Sequence, residues 1–234
     1  MSLNDKIALV TGGTGALGSV IAQRLSDESG VVFVSYLLEK ELAHLSDAFK
    51  KHVKILRADV TDERQVKELY DAVIGSSSRV DIVVNTVGGF LPRKPITEVE
   101  LSEWELMMNI NLKSAFLSTR EALRRMQGQR YGRIINISAM VGLSPTAGRA
   151  PYAISKAGVS MLTEIVAQEV KGTGITVNAI APSIIATPAN LSSMPDEDSS
   201  KWVKPEEIAD LVCYLCSGPA GAITGTTFKA YGGV

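Results

Sequence analysis

A tyrosine and a lysine four residues apart, Tyr152 and Lys156, are the residues whose types and spacing best fit acid–base chemistry. Four residues make about one turn of an α-helix, so both side chains would project from the same helix face. A free tyrosine has a pKa of about 10 and exchanges protons poorly at neutral pH, whereas a neighbouring cation lowers that pKa. The pair therefore predicts a general acid/base, and an exposed aromatic–cation pair is the alternative when the spacing is taken alone.

A glycine-rich segment near the N-terminus indicates a second kind of chemistry, the binding of a phosphate group. A strand-like run over Ile7–Val10 leads into it, and a helix-like run beginning at Leu17 follows. Glycines at such a junction let the backbone approach a pyrophosphate, and the helix N-terminus offers free N–H groups to the anion. The Gly-Lys-Ser/Thr sequence of an NTPase loop does not follow. The segment therefore predicts a dinucleotide site that includes Gly12, Thr14, Gly15, Ala16, Leu17 and Gly18.

The elements that must position these residues alternate between β-rich apolar runs and helix-period stretches. Strands are predicted over Ile7–Val10, Val31–Ser35, Val53–Leu56, Ile82–Val84, Arg133–Ile137, Ile175–Ile180 and Thr226–Ala230. Helices are predicted over Leu17–Asp27, Glu39–Lys50, Asp62–Ile74, Ser102–Met126, Tyr152–Val170 and Pro205–Cys216. Strands that are apolar along nearly their whole length are buried on both faces, as in a parallel sheet between helices. The pattern predicts a doubly wound α/β fold with a mostly or fully parallel sheet of seven strands.

The composition limits the classes of protein to consider. The 234 residues suffice for one sizeable core, and the whole chain, 1–234, is predicted to form a single domain. A net charge of −1 gives no support for binding to a nucleic acid backbone. No apolar run approaches the length of a membrane span, and residues 1–6 lead directly into the first strand without room for a signal peptide. We therefore expect a cytoplasmic protein without membrane or nucleic acid partners.

The cysteines and histidines offer no convincing metal or redox site. Cys213 and Cys216 form a C-x-x-C inside an apolar helical run. A redox pair needs a helix N-terminus to lower the thiol pKa, and a zinc site needs more ligands. Both cysteines are therefore predicted to be core residues. His44 and His52 lie in polar surroundings and are predicted to be solvated.

Two further segments predict features around the site. The polar stretch Asn190–Ser200 has no apolar period, so we expect a surface loop without firm order, or a short substrate lid near residues 188–203. Helices 102–126 and 152–170 carry more apolar residues than one buried face requires, which predicts a homodimer or homotetramer through these helices. The apolar residues concerned are Met107, Met108, Ala115, Phe116, Leu117, Val159, Met161 and Ile165.

Taken in order along the chain, the motifs resemble those of the short-chain dehydrogenase/reductase family over essentially the whole sequence. Beyond the glycine loop and the Tyr152/Lys156 pair, the similar segments are Asp59–Val60, Asn85–Gly88, Asn111 in Ile110–Leu112, Ser138 fourteen positions before Tyr152, Asn178–Thr187, Ile223–Gly225 and Gly232–Gly233. The resemblance implies a Rossmann-fold, NAD(P)-dependent oxidoreductase that interconverts an alcohol and a carbonyl on a small organic substrate by hydride transfer.

The resemblance also implies roles for individual residues. Tyr152 would exchange a proton with the substrate oxygen, and Lys156 would lower the tyrosine pKa and hold ribose hydroxyls. Ser138 would hydrogen-bond the carbonyl oxygen, and Asn111 would anchor a water relay. Cofactor contacts are implied for Gly12, Thr14, Gly15, Ala16, Leu17, Gly18, Tyr36, Asp59, Val60, Asn85, Gly88, Tyr152, Lys156, Pro182, Ile185 and Thr187.

The chain departs from the family pattern in its glycine spacing. Gly12, Gly15 and Gly18, with Ala16 between them, look more like the loop of the extended branch or of dihydropteridine reductase. The extended branch adds a substrate domain for which this chain has no room. Dihydropteridine reductase lacks the serine that Ser138 supplies.

The choice of cofactor depends on the end of the second strand. No acidic residue stands there to bind ribose hydroxyls, and Ser35 or Thr14 could bind a 2′-phosphate, so NADP is favoured over NAD. The nearby Glu39 weakens this argument.

Other functions remain as alternatives at this point. They are a non-catalytic dinucleotide-binding regulatory or scaffold protein, and an epimerase or dehydratase that uses tightly bound NAD. A hydrolase is disfavoured, since no Gly-x-Ser-x-Gly is present. Arg93, Lys94 and Arg149 could contact an anionic substrate, although exposed loop cations are the simpler interpretation.

Overall fold

Seven parallel strands form the centre of the structure, a computed structural model that describes residues 3–234. The strands are β1 (Leu3–Thr11), β2 (Ser29–Tyr36), β3 (Val53–Arg57), β4 (Ile82–Asn85), β5 (Gly132–Ile137), β6 (Ile175–Pro182) and β7 (Thr227–Ala230). They are arranged in the order β3-β2-β1-β4-β5-β6-β7, and every neighbouring pair is parallel. The predicted strand set and the doubly wound α/β fold are confirmed. Met1 and Ser2, part of the predicted single domain, lie outside the described residues.

Helices cover both faces of the sheet and enclose two apolar cores. One core lies between the sheet and helices α1, α2 and α9, and the other lies between the sheet and α3, α5 and α7. The helices are α1 (Ala16–Ser26), α2 (Asp47–His52), α3 (Glu63–Ser77), α4 (Leu101–Met107), α5 (Ser114–Met126), α6 (Met140–Leu143), α7 (Ala150–Glu169), α8 (Pro188–Ser193) and α9 (Pro205–Cys216). Met108–Lys113 forms a π-helical turn that joins α4 to α5.

The predicted helix Glu39–Lys50 is wrong as a single element. The chain forms a 3₁₀ segment over Glu39–His44 and then begins α2 at Asp47. Leu45 between them has an extended backbone, and the Ser46 hydroxyl accepts a hydrogen bond from the Phe49 N–H as the α2 cap. A capping serine competes with the helix interior and ends the preceding segment.

The polar segment after β6 has more regular structure than its sequence predicts. Pro188–Ser193 forms α8, whose first turn is capped by the Thr187 hydroxyl, and Ser199–Lys201 forms a 3₁₀ turn. A parallel bridge between Ile185 and Val203 joins the two ends of the segment. A capping hydroxyl and a short backbone bridge can order a chain that buries little apolar surface.

The cysteines and histidines lie in the environments predicted from the sequence. Cys213 and Cys216 are buried, and burial raises the pKa of the Cys213 thiol to about 11. His44 and His52 are exposed. Among residues 3–234, no helix is both long enough and apolar enough to cross a membrane.

The two helices predicted to mediate assembly keep an apolar outer surface, but several of the named residues belong to the core of the chain itself. Met107, Ala115, Leu117 and Val159 are buried in the chain's own core, as residues on the inner face of each helix are. The exposed apolar residues of these helices are Leu101, Leu106, Phe116, Ile154, Met161 and Ile165.

Candidate active site

Six of the predicted cofactor residues lie where the strand order reverses, at the carboxyl edge of the sheet. β1 has β2 on one side and β4 on the other, so the connections leave in opposite directions and open a crevice between them. A groove of about 620 Å³ lies in this crevice, which is within the usual range for small-molecule sites, about 300–1,000 Å³. Its lining includes Gly12, Gly15, Tyr36, Asp59, Val60 and Gly88 from the predicted cofactor set.

The glycine loop has the shape that a pyrophosphate needs. Gly12 has a φ of +67°, and a Cβ at Gly18 would lie 2.2 Å from the Gly12 carbonyl oxygen. Only glycine therefore fits at Gly18 without moving the backbone. Gly15 precedes α1 and no side chain caps that helix, so its first N–H groups are available to an anion. Ala16, Leu17 and Gly18 form this first turn, and the residues present fit a dinucleotide.

The adenosine end of the groove contains a carboxylate that the sequence interpretation missed. Thr14 donates its hydroxyl to Glu41 Oε2 over 2.5 Å, and the Ser35 hydroxyl accepts from the Gly12 N–H over 3.1 Å. Both hydroxyls expected for a 2′-phosphate are thus already hydrogen-bonded. Glu41 lies on the 3₁₀ segment after β2, five positions beyond Tyr36, so inspection of the strand end could not find it.

Tyr36 and Asp59 have fixed side chains on the groove wall. The Tyr36 hydroxyl donates to Glu39 Oε1 over 2.8 Å, and this bond raises the pKa of the tyrosine. Asp59 Oδ1 accepts from the N–H of Thr61 over 2.9 Å and from its hydroxyl over 2.7 Å. Val60 beside it is buried.

Ten predicted cofactor residues do not line the groove: Thr14, Ala16, Leu17, Gly18, Asn85, Tyr152, Lys156, Pro182, Ile185 and Thr187. Asn85 is buried, and its amide nitrogen donates to Asn136 over 2.8 Å and to Thr119 over 3.2 Å. These hydrogen bonds hold the side chain in the protein interior. Pro182, Ile185 and Thr187 lie at the end of β6 and on the loop after it, outside the groove lining.

Lys156 lies on α7, and its side chain is buried and hydrogen-bonded. Its Nζ donates to the Ile137 carbonyl over 2.8 Å, and the residue is 5% exposed. Removal from water disfavours the charged form and lowers the pKa of Lys156 to about 8. A Cβ at Gly88 would lie 2.9 Å from this Nζ, so the backbone at Gly88 lies directly beside the lysine.

Asn111 joins three parts of the site. It lies in the π-turn, where its Oδ1 accepts from the Gly89 N–H over 2.9 Å and its Nδ2 donates to the Gly89 carbonyl over 3.0 Å. The same Nδ2 donates to the Ser155 hydroxyl over 3.1 Å. Such turns carry one extra residue and occur frequently at functional sites. Asn111 therefore ties the loop after β4 to α7 next to Lys156.

Tyr152 is half-buried, and its pKa differs from the sequence-based expectation. Burial raises the pKa of the phenol, and the positive charge of Arg149 opposes this rise. The net shift is upward, opposite to the lowering expected from Lys156, and the Lys156 ammonium donates to the Ile137 carbonyl. The Phe90 ring lies against the tyrosine, with 6.4 Å between ring centroids.

The Ser138 hydroxyl faces α7, the helix that carries Tyr152. Ser138 is 2% exposed, and its hydroxyl donates to the Lys156 carbonyl over 2.9 Å and lies 2.9 Å from the Ser160 hydroxyl. Side chains alternate along a strand, and Ser138 continues the face of Asn136, which also contacts α7. The residue type and spacing suggested a catalytic serine, but the alternation places its hydroxyl between β5 and α7.

The three cations left open by the sequence have distinct positions. Lys94 pairs with Glu103 over 2.7 Å, and Arg93 is exposed. Arg149 is half-buried and lines a narrow cleft with Tyr152.

Comparison with known proteins agrees with this geometry. A model described as short chain dehydrogenase matches residues 6–198. The 3-oxoacyl-[acyl-carrier-protein] reductase FabG of Haemophilus influenzae is 34% identical over 243 residues, covering 99% of each chain. FabG of Thermotoga maritima is 30% identical over 246 residues, covering 100% of this chain and 99% of its own.

Two solved structures are similar over almost the whole chain. ElxO with NADP bound has a TM-score of 0.91 at 28% identity and covers 98% of both chains. A short-chain type dehydrogenase/reductase from Mycobacterium ulcerans has a TM-score of 0.92 at 24% identity, covering 100% of this chain and 90% of its own, and shows the fold alone. With the family match and the FabG relatives, the conclusion is that this chain belongs to the short-chain dehydrogenase/reductase family.

Proposed function

We propose that this chain reduces the carbonyl group of a small 3-oxo compound with NADPH, and that Tyr152 is the general acid. The observation that carries the proposal is that Lys156 and Asn111 meet at Gly88, at the end of a groove with a dinucleotide-type glycine loop, while Tyr152 lies one helical turn before Lys156 on α7. The names of the FabG relatives supply the 3-oxo class.

The protonation state of Tyr152 fits the role of a general acid. Its raised pKa keeps the phenol protonated at neutral pH, so the hydroxyl holds the proton that a carbonyl oxygen must receive. The nicotinamide, when bound, supplies the hydride. Within the described residues the Tyr152 hydroxyl has no hydrogen-bond partner, so it is available to a substrate oxygen.

Lys156 and Asn111 would prepare the surroundings of that transfer. Lys156 lies beside the Gly88 backbone, in a position to donate to ribose hydroxyls at this end of the groove. Asn111 holds the Gly89 backbone and the Ser155 hydroxyl, and thereby fixes the distance between the loop after β4 and α7. A water relay through Asn111 remains a prediction, as do the lid over residues 188–203 and the cytoplasmic location.

The preference for NADPH is supported by the NADP bound to ElxO, whereas Glu41 argues in the other direction because a carboxylate repels a 2′-phosphate. Titration of the protein with NADPH and with NADH, followed by nicotinamide fluorescence, decides between them. Tighter binding of NADPH supports the proposal. Tighter binding of NADH would contradict its cofactor part, and binding of neither would contradict the reductase function and favour a scaffold protein.

Turnover tests the substrate part of the proposal. The preferred cofactor is incubated with acetoacetyl compounds, and its oxidation is followed by absorbance. Oxidation that depends on both the 3-oxo compound and Tyr152 supports the reductase function. Binding of cofactor without turnover of any 3-oxo or 2-oxo compound would contradict it.

We further propose that the chain assembles as a homodimer or homotetramer through helices 102–126 and 152–170. Leu101 is 70% exposed and Met161 is 58% exposed, and Phe116 and Ile165 extend this apolar surface. Exposed apolar residues concentrated on two adjacent helices are typical of a subunit interface.

A further inference from the structure

Arg149 lies in the same cleft as the proposed catalytic tyrosine. The cleft lies between the loop after β4 and the start of α7, and its lining includes Leu91, Pro92, Arg149 and Tyr152. The guanidinium makes one long hydrogen bond, from Nη1 to the Leu91 carbonyl over 3.5 Å. An arginine fork has five N–H donors, so most of its donor capacity remains for another group.

No acidic side chain among residues 3–234 lies within ion-pair distance of Arg149. The one acid that lines the cleft, Glu103, is paired with Lys94 over 2.7 Å. The cleft therefore holds two cations and one anion, and Arg149 is the cation whose charge is not balanced.

The position of Arg149 on α7 makes this imbalance less favourable. It is the N-cap residue of a 20-residue helix, and no acidic residue follows in the first turn. The N-terminus of a helix carries partial positive charge, so a cation there is repelled and an anion is attracted. Within residues 3–234 only the Leu91 carbonyl accepts from the guanidinium, so the remaining donors are open to an anionic ligand.

We propose that Arg149 binds the carboxylate of a small oxo acid and thereby presents the neighbouring carbonyl group to Tyr152. This inference rests on the proposed carbonyl reductase function and names its substrate class. A planar guanidinium matches a carboxylate with two parallel hydrogen bonds. The cleft has a volume of about 10 Å³, which is the space of about one water-sized group, such as a carboxylate oxygen. The rest of the substrate would lie outside the cleft, against the exposed Phe90 ring that contacts Tyr152.

The test compares acids with neutral compounds of the same carbon skeleton. Reduction of acetoacetate and methyl acetoacetate, and of pyruvate and methyl pyruvate, is measured with wild-type protein and with Arg149→Gln, Arg149→Lys and Arg93→Gln. We expect kcat/KM of wild type to be at least tenfold higher for the acids. Arg149→Gln should lower kcat/KM at least tenfold more for the acids than for the esters and so remove this preference, Arg149→Lys should retain part of it, and Arg93→Gln, an exposed position, should retain all of it.

A second measurement does not depend on turnover. Malonate and the neutral malonamide are titrated by calorimetry into the NADPH-loaded protein, and we expect malonate to bind at least tenfold more weakly to Arg149→Gln. Equal use of acids and esters by wild type, or an equal loss for both with Arg149→Gln, would overturn the inference while the reductase function stands. If no carbonyl compound is reduced, the reductase function fails, and malonate binding that is independent of Arg149 then overturns the anion site as well.

Discussion

Tyr152 and Lys156 lie one helical turn apart on α7, but their surroundings set their protonation in opposite ways. Burial raises the pKa of the phenol from its ordinary value of 10.0 and lowers the pKa of the ammonium from 10.5 to about 8, so two values that lie close together in water move apart and change order. The lysine also donates to a backbone carbonyl and is held in place by it. At neutral pH the phenol is protonated and the buried amine is close to its titration range.

Replacing Tyr152 by Phe tests the proton transfer directly. The change removes the hydroxyl and keeps the ring contact with Phe90, and no hydrogen bond within the described residues is lost. We expect kcat to fall by two or more orders of magnitude, about the contribution of a general acid, while NADPH affinity stays within about threefold. Tyr214→Phe, at an exposed position on α9, is the matched control. Activity of Tyr152→Phe within threefold of wild type would rule out the mechanism.

Replacing Lys156 by Met tests the low pKa through stability. Between pH 8 and 10.5 the unfolded chain holds more protons than the folded chain, because the folded pKa of about 8 lies below the reference value of 10.5. This group therefore makes wild-type stability rise with pH over that window. The variant lacks the effect, so its stability relative to wild type should fall by up to about 3 kcal/mol between pH 8 and 10.5.

Urea unfolding at several pH values measures this difference. Lys171→Met, at an exposed position, should show no such change with pH. A flat difference for Lys156→Met would show that the ammonium is not destabilised by burial.

At the scale of elements, the glycine loop and α1 form one unit in which the backbone itself makes the contacts. Gly18→Ala would place a Cβ 2.2 Å from the Gly12 carbonyl oxygen, so the loop must move. We expect NADPH affinity to fall at least tenfold and stability to fall by roughly 1–3 kcal/mol. Gly75→Ala in α3, where nothing lies within 4 Å of the new Cβ, should leave affinity unchanged. Equal affinities for both variants would show that the loop does not hold the cofactor.

The elements could be predicted from the sequence because their signals are local. All seven strands and most helices follow from apolar runs and periodicity. The division of 39–50 was missed because it depends on one capping serine, Ser46. The π-turn was missed because it depends on contacts between Asn111 and the distant Gly89 and Ser155.

Residue type and spacing predicted candidate residues for the site, but they could not predict the contacts that these residues make. Lys156 and Asn111 lie together beside Gly88, and Tyr152 lies one turn earlier on the same helix as Lys156. The partners of the Ser138 hydroxyl could not be predicted, since they depend on the alternation of β5 and on the groups that α7 offers. The surroundings of Glu41 and Arg149 depend on tertiary structure. Folding brings Glu41 into hydrogen-bond contact with Thr14, and it leaves Arg149 without an acidic side chain within ion-pair distance among the described residues.

For the whole molecule, the exposed apolar surface of α4, α5 and α7 predicts assembly. Replacing Met161 and Ile165 together by Glu introduces two charges one turn apart on this surface. We expect light scattering to give a multiple of 25.0 kDa for wild type and a single chain for the variant. Lys171→Glu, beyond the end of α7, is the control for a change of charge. A wild-type protein that is monomeric at micromolar concentration would contradict the proposed assembly.

Two asparagines beneath the site have a consequence for folding accuracy. Asn85 and Asn136 face each other across β4 and β5, and their amides join a chain that runs from Thr11 to Thr163. A slip of one residue between the strands would turn these amides to the other face. Each buried amide left without a partner costs about 1–3 kcal/mol, so mispaired sheets are selectively disfavoured. Ile137 follows Asn136 in the same strand. The register that the two amides favour therefore also fixes the position of the Ile137 carbonyl, which accepts the hydrogen bond from the Lys156 ammonium.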